Sequence, residues 1–250
     1  MKSAMPRLTI QCALFFSSVC LVLSGCGRMH GEPGPGPDVP RPEQIVDFKT
    51  LYKSNCAACH GPEGRNGVAI SLANPVYLSV AGEDNISRVV ANGVPNKLMP
   101  PFAKSAGGML TVRQLTAITH GMMSEWNHGG PDPQQSAPPY QGTLTGNSEH
   151  GQQAYQEACA RCHGASGEGS QGDFKDEVPK VGSIVDPTYL ALVSDQYLRS
   201  IIIAGRPDQG MPDWRSDSSQ SLTDVQITDI VSWLASRRIA DPGQPYGTTR

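Results

Sequence analysis

The pentapeptide Cys56-Ala57-Ala58-Cys59-His60 returns later in the same chain as Cys159-Ala160-Arg161-Cys162-His163. Each is Cys-x-x-Cys-His, the attachment signature for c-type haem. Its spacing serves one chemistry. Two thiols bond to the two vinyl positions on one edge of the porphyrin, and the next residue supplies an axial imidazole to the iron. A thioredoxin-like Cys-x-x-Cys does not need the following histidine, and a zinc site gathers its ligands into one cluster. Two copies in one chain favour haem. Composition agrees: only 38% of residues are hydrophobic, against 27 Gly and 21 Pro. A large apolar cofactor can supply the missing core volume.

The repetition extends beyond the motifs. Tyr52, Cys56, Gly61 and Gly64 match Tyr155, Cys159, Gly164 and Gly167 at one offset. At a longer offset Pro75-Val76-Tyr77-Leu78 matches Pro187-Thr188-Tyr189-Leu190, and Gly93 matches Gly205. Leu110-Thr111, Gln114 and Ile118 match Leu222-Thr223, Gln226 and Ile230. The chain therefore holds two copies of one unit. The second copy carries extra residues within Gly167–Val185, a glycine-rich, charged segment that reads as a surface loop.

The longer offset also aligns Met99-Pro100 with Met211-Pro212. A thioether is soft and neutral, favours ferrous iron and raises the potential. Proline restrains the loop that presents it. Met99 and Met211 are therefore the expected sixth ligands, opposite His60 and His163. In the first copy Met109, Met122 and Met123 compete; in the second, Met211 stands alone. His30, His120, His128 and His150 are the alternatives, and none falls within the repeat. Arg206, Lys97 and Trp214 lie near the methionine loops; they read as solvated surface residues rather than propionate or partner contacts.

Each copy reads as three helices. The first covers Pro42 to Ser54, and Gly151 to Ala158 in the second copy. The middle helix is Asn85 to Ala91, or Asp195 to Ile203. The last opens at the N-caps Thr111 and Thr223. No strong strand alternation appears. The order is helix, Cys-x-x-Cys-His, glycine loop, helix, Met-Pro loop, helix. It resembles class I cytochrome c domains, in particular tandem diheme lipoproteins and the diheme cytochrome c subunits of respiratory complexes. The resemblance covers about residues 43–127 and 147–238. It implies an all-α fold of two tandem domains, with first and last helices crossed beside the haem and one haem edge near solvent.

The N-terminus has the layout of an export signal. Lys2 and Arg7 precede an apolar run from Ile10 to Leu23, which ends in Leu23-Ser24-Gly25-Cys26. This ending resembles a bacterial lipobox, which implies cleavage before Cys26 and lipid on its thiol, an anchor without a membrane span. The expected organisation is a signal over 1–25, a Pro/Gly tether over 26–42, domains over 43–127 and 147–240, a linker over 128–146 and a tail over 241–250. The protein would be exported, held by lipid on a bacterial membrane and facing the periplasm or the cell exterior.

A formal charge of −3 without a long basic run excludes a nucleic-acid partner. Two irons with both axial positions filled favour one-electron transfer over substrate chemistry. The expectation is an electron carrier or electron-transfer subunit, not an enzyme. It carries two covalent haem c groups, serves redox partner proteins of a membrane respiratory complex and takes no small-molecule substrate. A diheme peroxidase or a gas-sensing haem protein would need one labile ligand.

Overall fold

The computed structural model describes residues 36, 39–130, 137–171, 180–215 and 221–239. The expected signal, Cys26, His30 and the tail from 241 lie outside them. Two compact units divide the chain. In Met1–Arg41 the few described residues are exposed. Pro42–Arg250 holds both repeats.

The described residues form nine α-helices, and β-pairing among them is limited to isolated bridges. In the first repeat these are α1 (Phe48–Asn55), α2 (Ala57–His60), α3 (Pro75–Asn92) and α4 (Val112–Trp126). The second has α5 (Ser148–Ala158), α6 (Ala160–His163), α7 (Pro187–Leu192), α8 (Asp195–Ala204) and α9 (Asp224–Ser236). The expected all-α architecture is observed.

Local sequence explains the boundaries. Helix α1 begins at Phe48 rather than Pro42, because Asp47 is its N-cap and accepts from the Thr50 N–H at 2.8 Å. Pro42–Gln44 is a separate 3-10 turn. Helix α3 is much longer than its expected Asn85–Ala91 core. Asn74 caps it, Pro75 opens it, and Gly82 breaks its regularity at φ 68°. In the second repeat the same stretch is two helices, α7 and α8, each with its own cap, Asp186 and Ser194. Thr111 and Thr223 each close a capping box, with Gln114 and Gln226 respectively. Such caps stabilise a helix start by about 1 kcal/mol each.

First and last helices pack together in both repeats, α1 on α4 and α5 on α9. This close approach requires a glycine, and the two copies put it on opposite partners. In the first repeat a Cβ on Gly121 of α4 would lie 2.3 Å from the Phe48 ring. In the second, where Gly151 replaces Phe48, a Cβ there would meet the Asp229 carbonyl oxygen of α9 at 1.9 Å. Aromatic side chains fill the rest of each crossing. Trp126 lies edge-on to Phe48 and Tyr52, at 5.0 and 4.9 Å between centroids, and Trp233 lies 4.4 Å from Tyr155.

One loop reading changes. Gly167 is buried, and Ile184 and Val185 pack against the core, so only part of Gly167–Val185 is a surface insertion. The insertion is closed at its base by Ser170 and Val181, which exchange backbone hydrogen bonds of 2.8 and 2.9 Å. After it the repeat resumes: Ser71 and Ser183 hydroxyls donate to the Gly64 and Gly167 carbonyls. The described second half of the linker is packed. Pro138 is buried, and buried Arg199 donates to the Pro139 and Tyr140 carbonyls.

The repeats meet through α3 and α8. The Asn74 side chain caps α3 with its oxygen and donates from its nitrogen to the Ala204 carbonyl at 2.9 Å. The Tyr140 carbonyl of the linker accepts from Gln196 of the second repeat at 2.8 Å.

Candidate haem sites

The two cysteines and the histidine of each motif occupy one tight turn. The preceding helix ends at Cys56, whose N–H donates to the Tyr52 carbonyl at 2.8 Å. The next turn, α2, is then closed by the His60 N–H donating to the Cys56 carbonyl at 3.0 Å. The Cys159 and His163 amides repeat both bonds with the same lengths. The matching tyrosines tie the turn from outside: the Tyr52 hydroxyl donates to the Gly61 carbonyl at 2.9 Å, and Tyr155 to Gly164 at 2.5 Å. Both tyrosines were visible as repeat matches; their role as struts was not.

Among the described residues, Cys56, Cys59, Cys159 and Cys162 form no disulfide. Burial pushes Cys56 and Cys159 up to about 11, each helped by its neighbouring cysteine. A redox-active Cys-x-x-Cys relies on a lowered thiol pKa, and here the shift has the opposite sign. Among the described residues no three His, Cys, Asp or Glu side chains gather into a metal-binding cluster. The donors are instead presented one turn at a time.

His60 is buried, and its Nδ1–H donates to the Ile70 carbonyl at 2.8 Å. A carbonyl only accepts, so this bond fixes the tautomer and leaves Nε2 with a lone pair. Burial lowers the His60 pKa, which keeps the ring neutral and able to ligate. His163 is half-buried and its pKa is lowered by the same cause. Its Nδ1 is buried without a hydrogen-bond partner among the described residues. The loop that follows it carries the insertion and runs differently: Gly169 N–H donates to the His163 backbone carbonyl at 2.8 Å, where Ala69 N–H donates to the Cys59 carbonyl.

Met99 is half-buried and packs against the core, on a loop pinned at both ends. Val94 N–H donates to its carbonyl, and Phe102 N–H returns to Val90 of α3. Met122 belongs to the core at 1% exposure, and Met109 stands in solvent at 81%. Met211 is also half-buried, paired with Arg206 through backbone bonds of 2.9 and 3.0 Å, and Trp214 N–H anchors its loop to Ile203 of α8. His120, His128 and His150 are exposed.

Three residues read as solvated surface do other work. Trp214 is buried. Lys97 Nζ donates to the Ala191 carbonyl of the other repeat at 2.6 Å. Arg206 donates to the Gly67 carbonyl at 2.8 Å, again across the repeats. Residue type favoured the surface reading, and an interface between repeats overrode it.

Each set fits a covalent haem. Two thiols and an imidazole share one turn, the His60 ring is oriented with Nε2 left over, and a soft thioether sits on a pinned loop in the same repeat. Among the described residues no helix is long and apolar enough to cross a membrane.

Comparison with known proteins agrees. The family described as cytochrome C oxidase, cbb3-type, subunit III matches residues 43–120 and 146–234. The chain is similar to a cbb3-type cytochrome c oxidase subunit FixPc of Rhizobium leguminosarum bv. viciae, 36% identical over 77 residues, 30% of this chain and 26% of that protein. A FixP subunit from Sinorhizobium medicae (strain WSM419) is 29% identical over 131 residues, 49% of this chain and 39% of the relative. A CcoP subunit from Azospirillum sp. (strain B510) is 27% identical over 133 residues, 49% and 40% of the two chains. The chain thus spans well under two thirds of these relatives. A chain of the Kuenenia stuttgartiensis reducing HAO-like protein complex is similar at 20% identity and a TM-score of 0.45, covering 81% of this chain and 99% of that one. With a helical unit in two copies, each built around Cys-x-x-Cys-His and each matched separately, the chain belongs to the cytochrome c oxidase, cbb3-type, subunit III family and has its all-α cytochrome c fold.

Proposed function

We propose that this chain is a diheme c-type cytochrome that passes single electrons in a respiratory chain, with one domain over 43–127 and one over 147–240. The observation that carries this reading is the repeated turn of two thiols and an imidazole, paired in each repeat with a half-buried methionine. Cys56 and Cys59 would hold one haem c, and Cys159 and Cys162 the other. His60 with Met99, and His163 with Met211, would fill the axial positions. Haem c supplies one-electron exchange between ferric and ferrous iron with little change in ligation.

The protein's own part is positioning and exclusion. The Ile70 carbonyl holds the His60 ring by its Nδ1–H. The tyrosine struts and capped helices fix the turns. With both axial positions filled by these side chains, a bound haem would offer oxygen and peroxide no open site, which favours a carrier or electron-transfer subunit over a catalyst. Its partners would be redox proteins of a membrane respiratory complex, in line with the oxidase subunits it resembles.

The ligand assignment is tested by single substitutions. Met99→Ala and Met211→Ala should each lower chiefly one of two midpoint potentials in a redox titration, with any change in the other much smaller. An unchanged titration for either variant would refute that ligand.

Anchoring through lipid on Cys26 belongs to the same reading, with the body facing the periplasm or the cell exterior. Cys26→Ser should move the protein from the membrane fraction to the soluble fraction. Continued membrane retention would count against the lipid anchor.

A further inference from the structure

The segment Asn66–Ile70 presents the carbonyl that orients His60, yet it belongs to a loop without regular structure. Within its own repeat it is held by Ala69 N–H donating to the Cys59 carbonyl at 2.9 Å. The other repeat holds it as well. One terminal nitrogen of Arg206 donates to the Gly67 carbonyl at 2.8 Å and the Ala69 carbonyl at 3.4 Å. Asp208 Oδ2 accepts from the Asn66 N–H at 2.9 Å. These contacts bracket the residues immediately before Ile70.

The turn that provides them is itself stiff. Pro207–Gln209 form a 3-10 turn, and Arg206 and Met211 exchange backbone hydrogen bonds across it. The same turn therefore grips the His60-orienting segment of the first repeat and carries Met211 of the second. The contact is one-way. The residue matching Arg206 in the first repeat is Val94, whose side chain has no donor.

We infer that Arg206 is a positioning residue for His60, a cross-repeat clamp that links the imidazole ligand of the first centre to the methionine loop of the second. This rests on the diheme reading for its consequence but not for its geometry. Partners of an iron-bound histidine's second ring nitrogen set ring orientation and donor strength. Here the partner, Ile70, is held partly by the other domain. Tightening or loosening the Met211 loop would then be felt at His60, so the two centres would not be independent.

The test follows the His60 ring N–H in full-length reduced protein by nitrogen-15 NMR, with haem counted on the same samples. In Arg206→Gln, hydrogen exchange at His60 Nδ1 should quicken about tenfold, the scale expected for losing a charge-assisted hydrogen bond. Arg206→Lys should recover part of the protection. Arg215→Gln, which removes a cation paired within its own repeat to Asp213, should leave His60 as in the wild type. Wild-type exchange in Arg206→Gln would overturn the inference. Should that variant fail to fold, Asp208→Ala, which removes the acceptor for the Asn66 N–H, decides, with a smaller acceleration expected and no acceleration overturning it. A haem count below two would sink the diheme reading alone, because the Nδ1–H bond to Ile70 lies within the polypeptide.

Discussion

Replacing Cys56 and Cys59 together by alanine lowers covalently held haem from two per chain to one, measured by pyridine haemochrome on denatured protein. Both thiols leave the one turn that also carries His60, so nothing else in the first repeat can form the thioether links. The effect extends to stability. Cys56 is part of the core, and the chain is poor in apolar side chains. A small domain that loses its largest apolar component has little margin left. The first repeat should therefore lose its cooperative unfolding transition, while the second centre keeps its reduced spectrum. Two haems retained after denaturation would contradict the assignment of these thiols.

Arg199→Met should destabilise the second repeat by about 3 kcal/mol, a value typical of breaking a buried pair. Arg199 is 4% exposed and sits where the linker, α8 and α9 meet. It forms an ion pair with Asp224, donates to the Thr228 hydroxyl at 3.1 Å and reaches the Pro139 carbonyl at 2.7 Å. Methionine keeps much of the volume but strands these acceptors. On a chain of this size the loss corresponds to a Tm roughly 10 °C lower, read by calorimetry. Lys49→Gln is the contrast: its pair with Glu125 is 3.6 Å long between exposed groups, and should move stability by less than about 0.5 kcal/mol. Equal effects would contradict the buried role of Arg199.

Both predictions draw on different depths of the sequence. The attachment turns and the N-caps Thr111 and Thr223 were legible because they repeat. Comparing two copies of a unit reveals what both copies need. It is blind to what only one copy has. The contact between repeats joins unlike faces: Arg206, Asp208 and Lys97 match Val94, Asn96 and Gln209, and Asn74 matches Asp186, which caps its helix but has no amide to donate. Arg199 is hidden for a related reason, since a charged residue on a helix is usually solvated and only the packed linker buries it. Ile70 acts through its backbone carbonyl, which any residue type would supply. The long α3 was under-read because Gly82 interrupts its periodicity without ending the helix.

The gap at Gly82 and the Val193–Ser194 break also explain one another. The same stretch runs as one kinked helix in the first repeat and two capped helices in the second. Divergence of this kind leaves the ends of the segment in place, which is what the neighbouring haem turns and methionine loops require.

The central claim is that both centres are closed by protein ligands, His60 with Met99 and His163 with Met211. Carbon monoxide added to the fully reduced wild-type protein tests it most directly. Closed centres predict almost no change in the visible spectrum at either haem, and rapid binding of carbon monoxide at one of them would contradict the account.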